Sequence, residues 1–177
     1  MAGYDVSIKA LENCGFLDLR GGEDVRQICN KHLNIALPTR ANKLEKASSG
    51  AIAFCISPNH WLLQVADGEQ LNILQSLEYL SASVSHSFVD VSDLYARIQL
   101  SGPESREVLA QGVSIDIHPR VFPSGSTART GMAKTTAQIH YVNESPTYDI
   151  LVFSSFRQHI LDWLSLAAAN DSNSLLT

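Results

Sequence analysis

Residues 88–130 read FVDVSDLYARIQLSGPESREVLAQGVSIDIHPRVFPSGSTART. The segment opens as a strand on Phe88, Val89 and Val91. After Ser92 and Asp93 comes a second alternating run, in which Tyr95, Arg97, Gln99 and Ser101 interleave with Ala96, Ile98 and Leu100. A period of two with β-branched and aromatic residues predicts half-buried strands. Gly102 permits a sharp exit from the second strand, and Pro103 suits a first helical position because its missing N–H needs no partner there. Glu104 places negative charge where the helix dipole favours it. The helix carries Val108 and Leu109 and is expected to stop at Gly112. An irregular segment follows, marked by Pro119, Pro123 and Gly125.

The same pattern occurs earlier in the chain. Leu19, Gly21, Glu23 and Pro38 fall on Leu100, Gly102, Glu104 and Pro119 with a constant separation of 81, and Ile28 meets Leu109 at that offset. Ala51–Ile56 and Trp61–Val65 flank Ser57-Pro58-Asn59 as a hairpin; Ala137–Val142 and Tyr148–Phe153 flank Asn143–Pro146 likewise. Val65, Ile73, Leu74, Leu77 and Ala82 then align with Val152, Ile160, Leu161, Leu164 and Ala169 at an offset of 87. The six extra residues are expected between Pro119 and Ala128, where turn residues cluster.

Each copy ends in an amphipathic helix, with Leu71, Leu74, Leu77 and Leu80 on one face in the first and Phe156, Ile160, Trp163, Leu164 and Ala167 in the second. The predicted fold is therefore α+β, with two pseudo-repeated βαββα(β) units forming one compact pseudo-twofold domain. Residues 1–14 read as a lead-in, 15–90 as the first unit, 91–169 as the second and 170–177 as a polar tail. Val84–Val91, or the next unit's first strand, is expected to close the first sheet.

Composition narrows the functional classes. The 177 residues are 45% hydrophobic and 18% charged, with a net charge of −5. That is a globular balance without the clustered Lys and Arg of a nucleic-acid footprint. No apolar run approaches the roughly 20 residues of a membrane helix. The opening MAGYDVSIKALENC lacks the basic region and apolar core of a secretory signal. Cys14, Cys29 and Cys55 are scattered, so they read as reduced thiols, and a cytoplasmic location is expected.

The six histidines, His32, His60, His86, His118, His140 and His159, show no metal spacing and no cysteine pair accompanies them. Nucleophile elbows, P-loops and dinucleotide fingerprints are absent. Cys55 and the tryptophans Trp61 and Trp163 read as core. His140 alternates with Ile139 and Tyr141 and reads as the outward residue of a strand. Asp90, Ser92 and Asp93 form either a carboxylate cluster for proton transfer or, as favoured here, side chains bonded to their own backbone. His118 either touches a ligand or partner or shapes its loop. Arg129 with Thr130 either recognises an anion or neighbouring carboxylate or is solvated. No nucleophile, base and oxyanion donors assemble, so no catalytic, cofactor-binding or metal-ligating residue is assigned.

Several motifs run in a set order: Asp90 and Ser92; Leu100, Ser101, Gly102, Arg106, Val108 and Leu109; Asp116, Ile117, His118 and Pro119; Phe122, Pro123 and Gly125; Arg129 and Thr130. With Ile56–Leu63 before them and Ser155, Phe156 and Asp162–Leu164 after, they resemble the gamma subunit of heterotetrameric sarcosine oxidase. The chain departs from that pattern at Val113, at Asn59-His60 and at Ser154, where the family often has cysteine, an acidic pair and arginine. The resemblance implies a non-catalytic subunit bound to flavin-carrying alpha and beta subunits. Those partners would hold FAD, FMN, NAD, zinc and folate, and the complex would demethylate sarcosine to glycine with peroxide formation. It also implies a fold similar to part of the folate-binding aminomethyltransferase T-protein. On this reading Asp90, Ser92, His118, Arg129 and Thr130 are candidate subunit-interface residues. The alternative is a stand-alone folate-binding, aminomethyltransferase-like protein with Asp90 or Asp116 facing the pterin. A third reading is a scaffold for a different amine-oxidising flavoprotein.

Overall fold

The structure, a computed structural model, describes residues 3–169; the polar tail expected at 170–177 lies outside the described residues. The elements in chain order are β1 (Ser7–Ala10), β2 (Gly15–Gly21), α1 (Glu23–Leu33), β3 (Leu44–Lys46), β4 (Ile52–Ser57), β5 (His60–Val65) and α2 (Gln70–Leu80). They continue with β6 (His86–Asp90), β7 (Tyr95–Ser101), α3 (Ser105–Ala110), β8 (Thr127–Met132), β9 (Thr135–Asn143), β10 (Thr147–Phe153) and α4 (Arg157–Ala167). The chain divides into two compact units, one spanning Asn13–Asp93 and the other combining Met1–Glu12 with Leu94 onward. The first carries a sheet ordered β3-β4-β5-β2-β6 and the second a sheet ordered β1-β7-β10-β9-β8. Every pairing is antiparallel among the described residues.

The two strand orders are the same once homologous strands are matched, and the register shows it residue by residue. Leu19 pairs with Trp61 and Leu100 with Tyr148, which preserves the offsets of 81 and 87 read from the sequence. The closing strands match too: Val91 N–H donates to Phe16 O at 2.8 Å, and Leu11 N–H donates to Arg97 O at 3.0 Å. Both hairpins carry the same bulge, Cys55↔Trp61 then Ser57↔His60 in one, and Tyr141↔Tyr148 then Asn143↔Thr147 in the other. A bulge retained at one position in two copies is a designed feature that re-aims the strand.

Several expectations are corrected. Residues 7–10 are an edge strand of the second sheet, paired Ser7↔Ser101 to Ala10↔Ile98. An edge strand of four residues has one partner, so only Val6 and Ile8 show its apolar side, too short a pattern to read. Each unit also holds one more strand than predicted, β3 or β8, because Leu44–Lys46 is brief and Thr127–Met132 is mostly polar or small. The extra residues of the second unit therefore do not all fall between Pro119 and Ala128. The pairing of Glu45 with Ala53 against that of Ala128 with Ile139 shows that the β8–β9 hairpin takes several of them, as longer strands around a shorter connection. Pro103 lies in the turn before α3 rather than at its first position. Burial also sets the helices one residue off the spacing of 81. Val25 and Cys29, the buried residues of α1, answer to Ser105 and Leu109 of α3, which makes Arg26 the counterpart of Arg106.

Each unit has its own core. In the first, Leu17, Leu19, Val25, Cys29, Trp61, Leu63 and Leu77 are completely covered or nearly so; in the second, Ile98, Leu100, Leu109, Ile139, Tyr148, Ile160 and Leu164 are. Each such side chain stabilises its unit by roughly 1.5–3 kcal/mol relative to exposure. The α2 stripe is shifted from the predicted one: Leu77 is buried and Ile73 and Leu74 pack on the core, while Leu71 is 57% exposed. His140 is not outward; it is buried because β9 is covered on both faces from Ala137 to Tyr141. Gly102 sits at φ 122°, and a Cβ there would lie 2.5 Å from Asp5 O, so only glycine fits between β7 and the chain entering β1.

Candidate functional site

The five sequence-nominated residues fall in different units. Asp90 and Ser92 close the first unit at the end of β6. Asp90 Oδ1 accepts from Ser92 N–H at 3.0 Å and from the Ser92 hydroxyl at 2.5 Å, and Ser92 Oγ accepts from Phe16 N–H at 3.0 Å. These bonds hold the turn out of β6 against β2, the backbone role favoured for the pair. His118 is exposed in the loop after α3. Its N–H donates to Asp116 Oδ1 at 2.8 Å, its Nδ1 accepts from Arg120 N–H at 3.3 Å, and its carbonyl accepts from Val121 and Phe122. It shapes that loop. Arg129 and Thr130 lie on β8, an edge strand; Arg129 is exposed, while Thr130 is buried and its hydroxyl donates to Gly131 O at 3.4 Å.

Other polar constellations are more concentrated. On the first sheet, Asp18 meets two partners: His60 Nε2 lies 2.6 Å from Oδ2 and Arg20 Nε donates to Oδ1 at 3.0 Å. In the second unit, Arg106 of α3 stands over the Tyr141 ring, its Cζ 5.8 Å from the centroid, and Nη2 donates to the Tyr141 hydroxyl at 3.4 Å. Tyr141 and Tyr148 stack with centroids 4.7 Å apart. Burial pushes the Tyr148 phenol above its usual range, partly opposed by the adjacent Arg106 guanidinium. The sequence flagged Arg106 only as a motif position, since its aromatic neighbours come from two other strands.

The described residues contain no grouping of three or more His, Cys, Asp or Glu able to hold a metal, and no helix long and apolar enough to cross a membrane. Cys14, Cys29 and Cys55 are buried, and none is joined in a disulfide among the described residues. An open cleft of about 380 Å³ lies beside the 36–40 loop and β3, lined by Leu37, Pro38, Arg40, Lys43 and Glu45. A second of about 280 Å³ lies beside α1, lined by Gln27, Ile28, Lys31 and His32. Neither brings a nucleophile, a base and oxyanion donors together.

A sequence profile of the "Sarcosine oxidase, gamma subunit family" matches residues 23–170. The chain belongs to the sarcosine oxidase gamma subunit family. It is 25% identical over 130 residues to the sarcosine oxidase subunit gamma of Corynebacterium sp. (strain U-96), covering 73% of this chain and 62% of that protein. To the subunit of Corynebacterium sp. (strain P-1) it is 27% identical over 131 residues, covering 72% and 62%. The chain thus spans less than two thirds of the length of these relatives. Its fold matches a chain of the heterotetrameric sarcosine oxidase from Corynebacterium sp. U-96 with a TM-score of 0.86 at 22% identity, over 95% of this chain and 88% of that one. It also matches the glycine cleavage system aminomethyltransferase T from Bartonella henselae, with a TM-score of 0.63 at 11% identity, over 94% of this chain and 50% of that one. The α+β fold is therefore shared with a chain of that heterotetrameric sarcosine oxidase and with half of the aminomethyltransferase T.

Proposed function

We propose that the protein is the gamma subunit of a heterotetrameric sarcosine oxidase, a structural part that contributes no catalytic side chain of its own. The observation that carries this reading is the family match over residues 23–170, joined to the fold similarity to a chain of such an oxidase. In this assembly the alpha and beta subunits carry FAD, FMN, NAD, zinc and folate, and the complex converts sarcosine to glycine in the cytoplasm. The bonding of Asp90, Ser92 and His118 to local backbone supports roles in shaping the surface. Exposed Arg129 on edge strand β8 remains an interface candidate.

Co-expression with candidate alpha and beta subunits tests the proposal. The expected result is a yellow complex whose mass includes this chain and which oxidises sarcosine, while the chain alone is colourless and inactive. Recovery of active alpha and beta subunits without this chain bound would overturn it. Micromolar binding of tetrahydrofolate by the isolated chain would instead support a stand-alone folate protein.

A further inference from the structure

Charge is distributed unevenly along this chain. Residues 25–66 hold five Lys and Arg and a single acidic residue, Glu45, in a protein of net charge −5. Of the five cations, Arg26 is matched by the Glu23 carboxylate. Arg40, Lys43 and Lys46 are exposed and enter no ion pair among the described residues. They cluster on and just before β3, and exposed Glu45 offsets only one of them. The opposite edge of the same sheet, β6, runs out into Asp90 and Asp93, so the basic character belongs to the β3 side.

That side is also an open strand edge. β3 ends its sheet, with β4 as its one partner. Cys55 N–H donates to Lys43 O at 2.9 Å and Ala47 N–H to Ala51 O at 2.8 Å, and between them Leu44 stands opposite Phe54 and Lys46 opposite Ile52. In an antiparallel ladder bonded and non-bonded pairs alternate. Lys43, Glu45 and Ala47 therefore turn their backbone groups to β4, and Leu44 and Lys46 turn theirs outward. The open cleft of about 380 Å³ adjoins this edge, walled by Leu37 and Pro38 on one side and by Lys43 and Leu44 on the other. The wall is firmly placed: Leu37 and Pro38 are buried, and the Trp61 indole N–H donates to Pro38 O at 2.6 Å. An edge strand flanked by lysines resists pairing with another basic strand and favours one that carries carboxylates.

We propose that β3 and the cleft beside it are a docking site for an acidic, extended segment of a partner subunit. The segment adds to the sheet as a further strand, bonding the outward backbone groups of Leu44 and Lys46. Its carboxylates meet Arg40, Lys43 and Lys46. This rests on the reading above that the chain assembles with other oxidase subunits, and it names the surface of the first unit that they grip.

The test uses the full-length chain co-expressed with the alpha and beta subunits. A triple variant, Arg40→Glu with Lys43→Glu and Lys46→Glu, is expected to bind them at least about tenfold more weakly at low salt, with the gap narrowing as salt screens the contact. Lys46→Gln removes one charge, whereas Lys46→Pro removes that charge and the outward N–H. The proline variant is expected to bind about threefold more weakly still, with a urea midpoint like that of the glutamine variant, because an outward N–H at an edge serves no bond of the sheet. Hydrogen exchange at the Leu44 and Lys46 amides is expected to slow on assembly. A wild-type chain that does not associate overturns the proposed function and this site with it. Association by wild type and triple variant alike overturns this site alone, as does unchanged exchange at both amides or equal binding by the two Lys46 variants. A wild-type chain that is dimeric by itself in light scattering, and monomeric as the triple variant, assigns the edge to a second copy and overturns the partner-subunit proposal.

Discussion

His86 faces an acceptor on each ring nitrogen: Val84 O lies 2.9 Å from Nδ1 and Glu78 Oε2 lies 3.0 Å from Nε2. Only the protonated ring donates at both. The Glu78 carboxylate first, and then the Val84 carbonyl, raise the His86 pKa above its ordinary value. A histidine whose folded pKa is raised adds stability that is complete below the unfolded value of about 6.5 and is lost as pH rises through the folded value. The stability gap between wild type and His86→Gln in urea denaturation is therefore expected to be largest near pH 6 and to close towards pH 9. A gap that widens with pH contradicts the assignment. The cysteines give a second prediction. All three are buried, and burial pushes the Cys29 thiol up to about 12, so little nucleophilic thiolate forms. A colorimetric disulfide reagent at pH 8 is expected to find no rapidly reacting thiol in the native protein and three in denaturant. Cys55 was legible as core because it sits in an apolar run; His140 was misread because alternation shows which residues share a face, not whether the second face is covered.

At the scale of elements, β1 is the least obvious strand and one of the more consequential. It pairs with β7 through four residues, and Val6 and Ile8 pack on the second core. Deletion of residues 1–11 is expected to cost the second unit about 2–4 kcal/mol from the apolar area uncovered. Hydrogen exchange would show faster exchange in β7 and β10, with β2 and β5 unaffected; equal protection in all four strands contradicts it. The helices were legible from their 3.6-residue stripes, although α2 turned out to centre on Leu77 rather than to include Leu71, which is 57% exposed. Strands β3 and β8 escaped notice because pairing at a sheet edge does not require an apolar side chain at every second position.

For the molecule as a whole, the order of strands predicts independence of the inserted unit. Residues 13–93 contain every strand of their own sheet, and their ends meet at the Val91-to-Phe16 bond of 2.8 Å. A fragment spanning 13–93 is expected to unfold cooperatively in urea, with helix and strand signals lost together; a broad, non-coincident transition contradicts this. The sequence alone determined the duplication, the two hairpins, the amphipathic helices and the family, because these depend on local spacing and on motif order. It favoured backbone bonding for the Asp90–Ser92 pair over a carboxylate cluster, since short polar side chains beside a turn reach their own chain first. Only the tertiary structure decided that β6 closes the first sheet and β1 the second, because an edge accepts whichever extended segment the chain path brings alongside it. It alone decided, too, that Arg26 is matched by Glu23 while Arg106 stands among tyrosines, because a charge's partner is set by what surrounds it in space.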